Sequence, residues 1–140
     1  MPVDFREAAE RHWTDGDSLF RSSRLANADH LLGLAAECAL KAVMQALGMP
    51  LHPDGRPVDK QHHQVHINKL WDEFVTFAHA RGGARYALTL GAVPNPFADW
   101  DVAQRYDHSS SIGAGQAARH QSAAQTARQV LEQAILDGVV

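Results

Sequence analysis

Residues 24–48 read RLANADHLLGLAAECALKAVMQALG, and this stretch decides the fold. Its spacing predicts one long helix, apolar over most of its circumference. A sparse polar stripe of Asn27, His30, Glu37 and Lys41 interrupts the apolar surface. A helix apolar nearly all round belongs inside a bundle. The stripe then needs partners, because a buried polar group without a hydrogen bond costs roughly 1–3 kcal/mol. Gly48 closes the helix and Pro50 follows it.

Upstream, Phe5, Ala8, Ala9 and Trp13 fall at helical spacing behind Asp4, a natural N-cap. The Asp15-Gly16-Asp17 run predicts a break or kink, with Ser18 capping a continuation into the long helix. Downstream, residues 48–62 carry three prolines and form a loop. Residues 63–80 follow as a helix whose apolar face is Ile67, Leu70, Trp71, Phe74, Val75, Phe77 and Ala78, stopped by Gly82-Gly83. Residues 84–90 form a short helix, and Asp99 is placed to cap another through Trp100, Val102 and Tyr106. A final helix over 116–136 buries Ala117, Ala124, Ala127, Leu131, Ala134 and Ile135. No alternating strand pattern or internal repeat intervenes. The expected fold is all-α: one domain over residues 1–140, an up-and-down bundle of four main helices plus short helical segments.

Composition narrows the function. The chain has 140 residues, 13 Lys and Arg against 16 Asp and Glu, and a formal net charge of −3. That balance argues against a duplex-DNA binder, which gains affinity by neutralising many phosphates. It leaves room for a pocket holding one nucleotide or a short RNA. Cys38 is the single cysteine and lies in the apolar helix, so a buried structural thiol is expected. The absence of disulfides, of a signal-peptide core and of a bilayer-length apolar run points to the cytoplasm, away from membranes.

Several constellations carry possible chemistry. His62 and His66 are an i, i+4 pair that could hold zinc on a helix, but no third ligand is evident, and neither a metal nor a cofactor is expected. Arg24 and His30 stand six positions apart, about 600° around a helix, so the two side chains diverge. Glu37 and Lys41 form an i, i+4 ion pair, either at the bundle's edge or as an anchor inside it. The densest segment is 97–108, FADWDVAQRYDH. Arginine beside aromatics holds a phosphate and a base, or forms a structural lock in which arginine stacks on tryptophan. Cys38 is too enclosed to act as a nucleophile.

In order and spacing these segments resemble the HEPN superfamily (higher eukaryotes and prokaryotes nucleotide-binding domain). NADHLLGLAAECALK, residues 27–41, is similar to the family's second helix. His66-Ile67-Asn68-Lys69-Leu70 is similar to the H-x-x-x-L that opens its third, and Arg105-Tyr106 to the R-Y pair before its last. The resemblance implies a helical bundle that is often dimeric. It also implies membership of ribonuclease toxins, of partners of small nucleotidyltransferases in toxin–antitoxin pairs, or of noncatalytic nucleotide- and RNA-associated domains. The ribonuclease members carry R-x(4–6)-H, whereas only two residues separate Arg105 from His108. The expected function is therefore a noncatalytic, nucleotide- or RNA-associated binding and partner module. Its ligand residues are Asn27, His30, Glu37, Lys41, Trp100, Arg105 and Tyr106, with Arg105 on phosphate and Tyr106 or Trp100 stacked on a base. Its partners would be a second copy or a nucleotidyltransferase. One alternative is a metal-independent endoribonuclease using Arg105 and His108. Another is a purely structural interaction module presenting Met44, Leu47, Val139 and Val140.

Overall fold

A computed structural model describes residues 2–140 and shows an all-helical bundle. Helix α1 spans Phe5–Arg21, α2 Leu25–Ala46, α3 Ile67–Ala80, α4 Ala84–Gly91 and α5 Ala114–Leu136. Two short 3-10 helices, Val102–Tyr106 and Ser109–Ser111, lie between α4 and α5. The only strand-like pairing among the described residues is an isolated bridge between Leu51 and Pro57. Four long helices and a short one match the expected architecture. No helix among the described residues is long and apolar enough to cross a membrane.

Helix α2 occupies the centre and packs on α1, α3 and α5. Leu32, Ala36, Leu40, Val43 and Met44 are all fully buried along it. Its C-terminus closes as a Schellman turn: the Met49 N–H donates to the Met44 carbonyl and the Gly48 N–H to that of Gln45, with Gly48 at φ 96°. Helix α3 delivers Leu70, Trp71 and Phe74 to the core. Each such buried side chain contributes about 1.5–3 kcal/mol. Met44 is fully enclosed and cannot serve as a docking residue, whereas Val139 is partly exposed.

Three local expectations are corrected. The chain does not break near Gly16: α1 runs unbroken from Asp4, whose Oδ1 accepts the Glu7 N–H at 2.9 Å. Gly16 is buried, and a Cβ there would come within 3.1 Å of Leu32. Glycine therefore brings α1 close to α2, and that contact outweighs its helix-propensity penalty of about 1 kcal/mol. The turn falls instead at Ser22-Ser23-Arg24, where Ser23 takes φ 61°. Helix α3 starts at Ile67, not at residue 63, with His66 as its N-cap. Asp101, not Asp99, caps the 3-10 helix Val102–Tyr106, its carboxylate accepting the Ala103 N–H at 2.7 Å.

Candidate functional site

The polar stripe of α2 separates into an open end and a closed end. At the open end, Arg24, Leu25, Ala26 and Asn27 form one wall of a groove of about 450 Å³. Ser23, at the turn before α2, and Gln104, Arg105, Asp107, Ser109, Ser110 and Ile112 complete its lining. No side chain caps the N-terminus of α2. Its first backbone N–H groups, which have no partner within the helix, therefore favour negative charge there. Asn27, Arg105 and Tyr106 are exposed, and Tyr106 at 79% stands out from the surface. The Arg105 guanidinium lies 4.5 Å from the Tyr106 ring centre and donates to the Val102 carbonyl at 2.7 Å.

At the closed end, Glu37 and Lys41 are buried and paired at 3.2 Å. The pair is an internal anchor, not an edge contact. Its further partner is His66, whose Nδ1 lies 3.0 Å from Glu37 Oε1. The Glu37 hydrogen bond, opposed by partial burial, raises the His66 pKa above its ordinary value. Replacing Glu37 by glutamine is expected to lower the His66 midpoint, read by NMR titration; an unchanged midpoint would refute the pairing. His30 shows the opposite shift. Burial, then the positive charges of Arg105 and His12, depress it, and its Nδ1 is buried without a hydrogen-bond partner. The Cys38 thiol, partly buried on the same helix, is pushed up to about 12 by burial and so is unreactive at neutral pH.

Trp100 cannot stack on a ligand. It is 1% exposed, lies against Gly33 and the parallel His30 ring, and donates Nε1–H to the Asp29 carbonyl at 3.0 Å. The arginine lock in this region is made by Arg119, which forks onto Asp99 at 2.8 and 2.9 Å. His108 is exposed and turned into its own loop, with Nδ1 3.1 Å from the Ser110 N–H and 2.8 Å from the Ser110 hydroxyl. The His62 and His66 pair is not on a helix. His62 bonds Asp59 at 3.0 Å while His66 faces Glu37, and no cluster of metal-ligating side chains forms among the described residues.

The most enclosed polar cluster carries no local sequence motif. His120 of α5 and Asp29 of α2 are both 0% exposed. His120 Nδ1 lies 2.6 Å from Asp29 Oδ1, and Nε2 lies 2.8 Å from Asp99 Oδ1. Gln104 then donates to Asp29 Oδ2 at 2.6 Å. The Phe97 ring stacks on the imidazole at 5.1 Å. Burial disfavours a charged His120, but the two carboxylates outweigh it and raise its pKa. The fork from Arg119, then the contact with His120, holds Asp99 well below the usual carboxylate range. One signal for this cluster does exist in the chain. Asp29 and His120 each take a core position in helical register, beside Leu32 and Gly33 in α2 and beside Ala117, Ala123 and Ala124 in α5.

The molecule is thus a helical bundle with an arginine-lined groove at the start of its central helix. Compared with known proteins, the chain matches no family model, no curated protein and no solved structure.

Proposed function

We propose that this protein is a HEPN-like binding module that holds the phosphate of a nucleotide or single-stranded RNA in the groove at the start of α2. One observation carries the reading. Arg24 and Arg105 are distant in sequence, yet both line this groove beside the uncapped first turn of α2. Two guanidiniums beside free backbone N–H groups favour phosphate oxygens, which accept several bonds at once. Exposed Tyr106, next to Arg105, offers a face on which a base stacks. Asn27 supplies a further amide at the same wall.

Glu37, Lys41 and Trp100 leave the ligand set in this reading and act as supports. The resemblance to the HEPN superfamily adds the remaining features: a homodimer, or a complex with a small nucleotidyltransferase. Cleavage by Arg105 with His108 is less favoured, because the His108 ring is engaged by Ser110.

The test is fluorescence anisotropy with a labelled single-stranded RNA of about ten nucleotides. Arg105→Ala and Arg24→Ala should each weaken binding about tenfold or more, the scale of a hydrogen bond to a charged group. Each should also flatten the salt dependence. Unchanged affinity in an Arg105→Ala protein that circular dichroism shows to be folded would overturn the proposal.

A further inference from the structure

We infer that His120, in its protonated form, is a positioning residue for the groove, and that binding there is coupled to its proton. The inference rests on the phosphate-binding reading above and adds its regulation.

The protonation state follows from bond counting. His120 presents both ring nitrogens to carboxylate oxygens, at 2.6 Å from Asp29 and 2.8 Å from Asp99. An ionised carboxylate only accepts, so both ring nitrogens must carry hydrogen, and the ring is an imidazolium. A neutral imidazole has one N–H. It would serve one carboxylate and turn a lone pair toward the other; His120 and Asp29 are fully buried, while the Asp99 side chain is 45% exposed. The charged groups facing His120 are Asp29 from α2 and Asp99 from the segment before the 3-10 helix. Arg119, its neighbour on α5, reaches it only through Asp99.

The link to the groove is short. Asp29 holds the imidazolium with Oδ1 and the Gln104 amide with Oδ2. Gln104 lines the groove and lies within the 3-10 helix that carries Arg105. Its Oε1 also accepts the Asp101 N–H at 3.2 Å, closing the capping box of that helix. Meanwhile the Asp29 carbonyl holds Trp100 at the base of the same segment. Loss of the proton leaves one N–H for two carboxylates and leaves the fully buried Asp29 carboxylate without its counter-charge, so the ion pair that orients it is lost. Gln104 then loses a fixed acceptor, and the wall bearing Arg105 loses its register. Coupling is reciprocal, so an anion held by that wall must also hold the proton more tightly.

The experiment measures affinity for the labelled RNA from about pH 6 to about pH 9, with the His120 midpoint followed by NMR. Affinity should fall about fivefold or more as His120 loses its proton. Adding RNA should raise the His120 midpoint. Gln104→Ala, at a partly buried position, cuts the link while leaving both carboxylates on His120. Its affinity should vary less with pH than that of the wild type. His30 and His66 act equally in both proteins, so the difference between the two profiles reports the Gln104 link. Should Gln104→Ala fail to fold, the RNA-induced midpoint shift in the wild type decides. Binding with equal pH slopes, or with an unmoved His120 midpoint, overturns the inference and leaves the binding reading intact. No RNA binding at any pH overturns the binding reading, and the inference with it.

Discussion

Replacing Asp29 by alanine is expected to lower the stability of the fold by about 3–5 kcal/mol, the cost of leaving one member of a buried ion pair without its partner. Thermal unfolding followed by circular dichroism should show a midpoint lower by roughly 10–20 °C for a chain of this size. The damage goes beyond one bond. Asp29 serves His120 and Gln104 with its two carboxylate oxygens, and its carbonyl takes the Trp100 N–H. A loss under about 1 kcal/mol would mean that no imidazolium is held there.

The same cluster sets a pH dependence with a definite sign. His120 titrates higher in the folded protein than the ordinary 6.5. Its stabilising contribution is therefore complete below 6.5 and disappears as pH rises through the folded value. Asp99 titrates below the ordinary 3.8, so its contribution is complete above 3.8 and disappears as pH falls through the folded value. The two together stabilise most between 3.8 and 6.5. In Asp29→Asn the upper limb should move back toward 6.5, because an amide does not hold an imidazolium. Urea unfolding across the pH range reads both limbs.

Gly33→Ala is expected to destabilise the protein by about 1–5 kcal/mol although alanine is the better helix former. A Cβ at Gly33 would fall inside the contact distance of Trp100 Nε1 and Cε2. Trp100 would have to move. The core would bear an overpacking cost of about 1–3 kcal/mol. The Nε1–H bond to the Asp29 carbonyl would be strained or lost, worth a further 1–3 kcal/mol or so for a buried unsatisfied donor. The propensity gain returns only about 1 kcal/mol. Gly115→Ala is the control. It lies in the first turn of α5 with no atom within 4 Å of a new Cβ, so propensity alone acts and the fold should gain up to about 1 kcal/mol. A Gly33→Ala protein at least as stable as the wild type would refute the contact between Trp100 and α2.

The sequence made the helices legible where one apolar face or one stop signal dominated. Helix α2 is apolar over most of its circumference and does lie at the centre; Gly48 and Gly82, both at positive φ, follow the ends of α2 and α3 where stop signals were expected. Gly16 misled because its role is an approach to Leu32, a residue on another helix. The start of α3 misled because residues 63–66 have helix-compatible side chains. His66 instead takes extended backbone as the N-cap and reaches across to Glu37. The site was half legible. Asn27 and Arg105 do share one groove, and Arg24, set aside for its divergence from His30, joins them there. Trp100, Glu37 and Lys41 turned inward because a bundle offers their polar atoms buried partners that no local window displays.

The sequence by itself determined that the chain is all-helical and which helix is central. Periodicity, caps and glycine stops act over a few residues, so a short window holds the whole signal. Only the tertiary structure decided which polar groups meet. The pair of Asp29 and His120 joins α2 to α5 across 91 positions, and the groove joins the start of α2 to residues 104–112. A charge in a sequence shows that a partner is needed. Only the packing of helices from distant parts of the chain, with water excluded, selects that partner.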